Sequence, residues 1–163
     1  MNFEIRAYRP EDFEILWRLD QECFPAGIAY SRTELLTYIG RRNAFTLVGE
    51  RVQGRLGNPA KPWVGGFIVA EAGRPAGHII TIDVRAEARR SGLGSRLMRA
   101  AEKRMRELGC RSVLLETAVD NQAALMFYKR LGFFLVKTIP RYYTTGVDAF
   151  VLKKELLSPV PAS

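Results

Sequence analysis

The sequence is poor in metal and redox ligands: it holds two cysteines and one histidine in 163 residues. Cys23 and Cys110 stand far apart, in no metal-like spacing. Together with a lone histidine, this excludes the usual zinc patterns and a disulfide framework, so both cysteines are read as reduced thiols. No apolar run approaches the roughly 18 residues that a membrane span requires. The start, Met1 to Arg6, lacks the basic-then-apolar form of a secretory signal. The expected location is therefore the cytoplasm. Repeats and low-complexity tracts are absent as well. Acidic residues are outnumbered, 17 Asp and Glu against 25 Lys and Arg, which leaves a net charge of +8. That balance suits an anionic cofactor, nucleic acid or an acidic substrate, or is simply a solvated basic surface.

What is present fits a single domain over residues 1–157, followed by a short, fraying tail at 158–163. Phe3–Tyr8 alternates apolar and charged residues and predicts a strand. Phe13, Leu16 and Trp17 form an apolar helical stripe within 11–22, with Asp20 at the same spacing. Ser31-Arg32-Thr33-Glu34 is a capping box, which predicts a second helix to about Arg41. Strands are predicted at 44–50, 64–71 and 78–84, with a long Gly- and Pro-bearing loop at 52–63. A helix at 92–108 stops at Gly109. An apolar, buried strand follows at 112–117, and Asp120 or Asn121 caps a helix ending at Gly132. Two last strands, 133–139 and 148–155, are joined by a tyrosine-bearing loop. The order β-α-α-β-β-β-α-β-α-β-β predicts an α/β (α+β) mixed sheet with helices on both faces.

The most specific local pattern is Arg89-Arg90-Ser91-Gly92-Leu93-Gly94-Ser95, which follows a strand and opens a helix. Two glycines allow close approach to the backbone, and the free N–H groups of the first helical turn favour an anion such as a pyrophosphate. Arg85, Arg89, Arg90, Arg96 and Arg99 surround the loop and offer bidentate phosphate contacts. A dinucleotide fingerprint fails, because Leu97 stands where its third glycine belongs. A P-loop fails for want of Gly-Lys-Ser/Thr. A bare strand-to-helix turn remains the alternative on this motif alone.

In combination with Glu116, Asn121, Ala124, Tyr128, Gly132 and Phe133, the pattern resembles the GNAT acetyltransferase superfamily. The resemblance spans about Phe3 to Leu156. Within the superfamily the chain is most similar to bacterial ribosomal-protein-alanine N-acetyltransferases, through Cys23-Phe24-Pro25 and Arg141-Tyr142-Tyr143 with Gly146-Val147-Asp148-Ala149. It departs from the pattern at Ala86, where proline is common, at Tyr30, where tryptophan is usual, and in the longer loop at 52–63.

The resemblance implies a GNAT fold with a splayed central sheet and acetyl-CoA as cosubstrate. Ile82, Asp83 and Val84 would hold the thioester and the pantetheine arm through the backbone, residues Arg89 to Ser95 the pyrophosphate, and Asn121 the cofactor arm. Glu116 matches the general base and Tyr128 the general acid. Phe24, Pro25, Tyr142 and Tyr143 would line the acceptor site. His78 is read as structural, away from the reacting gap. The implied partner is a protein or peptide N-terminus, ribosomal proteins included, with no membrane, metal or specific nucleic acid. Other readings are acetylation of a small amine, a ribosome- or nucleic-acid-binding module, and an inactive acyl-CoA sensor. Arginines gathered at the loop, and the presence of both Glu116 and Tyr128, weigh against the last two.

Overall fold

The computed structural model describes residues 2–52 and 62–156. Most of the expected 52–63 loop and the 158–163 tail therefore lie outside the described residues. The elements run β1 (Phe3–Ala7), α1 (Phe13–Cys23), α2 (Arg32–Ile39), β2 (Ala44–Arg51), β3 (Val64–Glu71), β4 (Ala76–Val84), α3 (Leu93–Glu107), β5 (Ser112–Ala118), α4 (Gln122–Arg130), β6 (Phe134–Ile139) and β7 (Ala149–Glu155). The predicted order holds throughout. Helix α1 starts at Phe13, two residues later than the expected 11–22 span. Pro10–Asp12 forms a 3-10 turn instead, and Asp12 is held there by a bidentate contact from Arg6 at 2.8 Å. Ser31 caps α2 as expected, its side chain accepting from Glu34 N and Glu34 returning to the Ser31 amide.

The seven strands form one sheet in the order β1-β2-β3-β4-β5-β7-β6. Strands β1 to β4 are antiparallel neighbours, β4 and β5 are parallel, and β7 lies antiparallel between β5 and β6. On one face, Leu97, Met98, Ala101 and Met105 of α3 pack with Ile68, Ile79 and Leu115. On the other, Leu16 and Leu19 of α1 and Leu35 of α2 cover Val48, Phe67 and Val69. Each fully buried side chain of this kind contributes about 1.5–3 kcal/mol. Strand β3 is buried from Val64 to Ala70, which is why it reads as a continuous apolar run.

Two features position the site. First, β4 carries a bulge: Ala70 pairs with Ile79 but Val69 with Thr81, leaving Ile80 extra. An extra residue reverses the strand's side-chain alternation. Gly77 and Ile79 face α3, and so do Ile82 and Val84 beyond the bulge, whereas Thr81 and Asp83 turn toward α1. Second, β4 and β5 pair only at Ala76↔Ser112, Gly77↔Val113 and His78↔Leu114. Past His78 the two strands part.

Candidate active site

The split opens a cleft of about 1080 Å³ lined by Ile79–Val84 on one side and Leu115–Ala118 on the other. That is the size range of small-molecule and cofactor sites. Of the residues expected at the site, Phe24, Pro25, Ile82, Asp83, Val84, Arg89, Arg90, Gly92 to Ser95, Glu116, Asn121, Tyr128, Tyr142 and Tyr143 all line it. Val84 O accepts from Cys23 Sγ at 3.6 Å and from Arg89 Nε at 3.3 Å, so Val84 presents its polar groups to the edge away from β3. With the two-residue period of a strand, the amide of Ile82 shares that open edge and that of Asp83 points back to β3. Ile82 and Val84 are thus available to a ligand through the backbone. Asp83, expected beside them in that role, is corrected: its place in the ladder commits its amide to the sheet.

The glycine loop has the form an anion site needs. Gly92 caps α3 with φ +82°, and a Cβ there would meet nothing within 4 Å, so the backbone is both left-handed and open to the cleft. The helix has no acidic residue in its first turn, and the amides of Gly94 and Ser95 have no helical carbonyl behind them. Leu93 turns the other way. It is 1% exposed, and its side chain fills a hollow on β2 and β3, where a Cβ on Gly49 would come within 2.6 Å of it. Only some of the arginines converge. Arg89 and Arg90 line the cleft, and so does Arg130 at the end of α4. Arg96 instead donates to Phe3 O at 2.8 Å, and Arg85 donates to Val64 O and covers the Trp63 ring. Helical spacing put them near the loop; the sheet edge captures them.

Glu116 sits on the α1–α2 face of β5, just past the split. His78, expected to stand apart, contacts it: Nε2 lies 2.6 Å from Glu116 Oε2. The histidine side chain is 38% exposed, so this pair links the cleft to solvent. Tyr128 arrives from the opposite face on α4, packed against Phe127 and Phe133. Burial raises its phenol well above the usual value, which keeps it protonated. Tyr142 and Tyr143, edge-to-face with ring centroids 4.9 Å apart, form another wall of the cleft. Tyr30, missed as a site residue, lines the same wall and donates to Ile80 O at 3.3 Å. Asn121 caps α4, its Oδ1 accepting from Ala124 N at 3.1 Å. Cys23 also lines the cleft, but burial pushes its thiol up to about 11, so little nucleophilic thiolate forms near neutral pH.

The sequence profile of the Acetyltransferase (GNAT) family matches residues 13–133, from α1 through the glycine loop to the end of α4. The chain belongs to the GNAT acetyltransferase family. Over 74 residues this GNAT chain is 42% identical to N-alpha-acetyltransferase 30 of Schizosaccharomyces pombe, covering 45% of its own length and 49% of the relative's. It thus spans about half the length of that curated relative. Among solved structures it is similar to Ard1 from Thermoplasma volcanium, with TM-score 0.82 and 28% identity over 97% of this chain and 100% of that one. It is similar too to a chain of the NatC complex bound to Gag peptide and CoA, with TM-score 0.77 and 26% identity over 96% and 100%. The GNAT fold and its splayed sheet, expected from the sequence, are the architecture described above. No helix among the described residues is long and apolar enough to cross a membrane.

Proposed function

We propose that the protein transfers an acetyl group from acetyl-CoA to the α-amine of a protein or peptide N-terminus, with ribosomal proteins one substrate class. One observation carries the reading: Glu116 and Tyr128 reach the β4–β5 split from opposite faces of the sheet. Acyl transfer between two reactants needs a base on the acceptor side and an acid on the leaving-group side, and this arrangement supplies one to each.

The residues present fit acetyl-CoA, which supplies an acetyl thioester when bound. Gly92, Gly94 and Ser95, with Arg89 and Arg90, would take its phosphates, and the open edge of β4 its pantetheine arm. The Ile82 and Val84 amides would polarise the thioester carbonyl. A preorganised donor of this kind is worth about 3–4 kcal/mol in the transition state. Glu116 accepts a proton from the acceptor ammonium, and His78 offers that proton a path to solvent. The neutral amine would attack the carbonyl, the carbon–sulfur bond would break, and Tyr128 would protonate the departing thiolate, its own proton being restored by the one the nitrogen sheds on becoming an amide. Direct attack is favoured over an acyl-cysteine route by the inert state of Cys23. An α-amine titrates near 8 and a lysine near 10.4, so a peptide N-terminus is the easier acceptor for one carboxylate base. Both cysteines are free thiols, which suits a reducing cytoplasm.

The test compares one peptide bearing a free N-terminus with the same peptide blocked at the N-terminus but carrying lysine, read by thiol release. The free N-terminus should react faster. Faster reaction of the blocked peptide, or activity confined to small amines, would overturn the assignment.

A further inference from the structure

Two carboxyls that the reaction above does not use meet between α1 and β4. Asp20 is 0% exposed and Asp83 1%. Each has one oxygen satisfied: the Tyr30 amide donates to Asp20 Oδ2 at 2.8 Å, and Thr81 Oγ1 donates to Asp83 Oδ1 at 2.6 Å. The other two oxygens, Asp20 Oδ1 and Asp83 Oδ2, are buried and accept nothing from any donor among the described residues. Neither carboxyl is in a salt bridge among those residues. Two ionised carboxylates in this position would be two uncompensated buried charges, a state proteins escape by neutralising one group. A single proton accounts for these features together: an acid O–H on one carboxyl would donate to the other, which it contacts.

We propose that Asp20 and Asp83 share one proton at neutral pH, and that this hydrogen bond pins the acceptor wall of the cleft to the bulged half of β4. Asp20 lies three residues before Cys23 and also grips the Tyr30 amide, so it holds both ends of the segment bearing Phe24 and Pro25. Asp83 lies between Ile82 and Val84, whose amides would hold the thioester. The pair therefore fixes the distance between acceptor and donor halves of the site. Both are positioning residues. The groups facing them are Cys23 of α1, Tyr30, Glu34 of α2 and Tyr128 of α4. Burial raises both carboxyls, and the Asp20 charge lifts Asp83 further, so the proton sits on Asp83. Its loss to solvent at higher pH leaves two repelling carboxylates and loosens the wall.

The shared proton stands whatever the acceptor is; the pinning of an acceptor wall rests on the function proposed above. Two measurements on the full chain separate them. Infrared difference spectra at neutral pH should show a protonated carboxylic acid band in the wild type that shifts in D2O and is missing from Asp83→Asn. Absence of the band in the wild type would overturn proton sharing. In kinetics, Asp83→Asn keeps a donor toward Asp20 and should leave both KM values near wild type. Asp83→Leu removes the donor and should raise the acceptor KM about tenfold or more, with acetyl-CoA KM little changed. The wild-type acceptor KM should climb with pH as the pair ionises, while that of Asp83→Asn stays flat. This pH comparison needs no Leu variant and decides the matter should that variant fail to fold. Equal acceptor KM in Asn and Leu variants, or the same pH dependence in Asn and wild type, would overturn the pinning. If small amines alone are acetylated, the infrared result is unaffected and the kinetics run with that amine.

Discussion

His78 closes the paired part of β4 and β5, and its Nε2 lies 2.6 Å from Oε2 of Glu116, the first carboxylate past the split. One ring and one carboxyl thereby form a continuous route from the cleft to water.

In the mechanism proposed above, Glu116→Gln keeps the shape and removes the base, so kcat should fall about 10²–10⁴-fold. His78→Gln should cost less. Because the two groups act on one proton, the double variant should lose far less than the product of the single losses. Steady-state thiol release measures all three, with acetyl-CoA affinity by calorimetry as the control. Strictly multiplicative losses would show that the histidine works independently.

Tyr128→Phe should lower kcat by a similar factor with acetyl-CoA affinity unchanged, since the hydroxyl is needed when the thiolate leaves. The same residue makes a stability prediction. Its folded value is raised above the unfolded one near 10, so its contribution is intact below about pH 10 and is lost as pH climbs toward the folded value. Denaturant unfolding of wild type should weaken on going from about pH 9 to about pH 11. Tyr128→Phe should weaken less over that interval, and an equal loss would contradict the burial argument.

Gly92→Val should impair cofactor binding while the protein stays folded. A β-branched residue at φ +82° is strained, at a cost of about 1–3 kcal/mol, and its side chain would project into the open side of the loop. Titration calorimetry should show acetyl-CoA affinity reduced about tenfold or more. Unchanged affinity in a folded variant would remove the phosphates from this loop.

Tyr142→Ala and Tyr143→Ala should raise KM for a peptide well above any change in KM for acetyl-CoA. In the proposed function the two rings face the acceptor, and loss of one also strips its partner of an edge-to-face contact worth about 0.5–1.5 kcal/mol. Parallel increases in both KM values would instead indicate general loosening of the β6–β7 end.

The parts of this molecule that depend on near neighbours in the chain were readable in advance. The Ser31 capping box, the Asn121 cap and the Gly92 loop each declare themselves within a few residues, and they fixed the element order and the anion site. The parting of β4 and β5 was invisible as geometry, because both segments simply read as apolar strands. The approach of His78 to Glu116 depends on register between segments 38 residues apart. Asp20 did leave a signal: it sits four residues after Leu16 on the buried stripe of α1, where an acid needs an explanation. Strand β6 was read correctly as a strand, but its exposure was not legible: Phe134, Leu135 and Val136 are apolar, yet each is about half exposed on an edge strand.

Leu93 carries a last consequence. It stands between the two glycines of the Arg89–Ser95 loop, yet its side chain is sunk among β2 and β3 beside Gly49 and Gly65. The loop is therefore moulded by the sheet during folding, and a ligand meets a finished receptor rather than ordering one. Anyone retailoring this protein toward another nucleotide carrier would work on the side chains that face the cleft, Arg89, Arg90 and Arg130. The loop itself could not be transplanted without the glycine-floored socket beneath it.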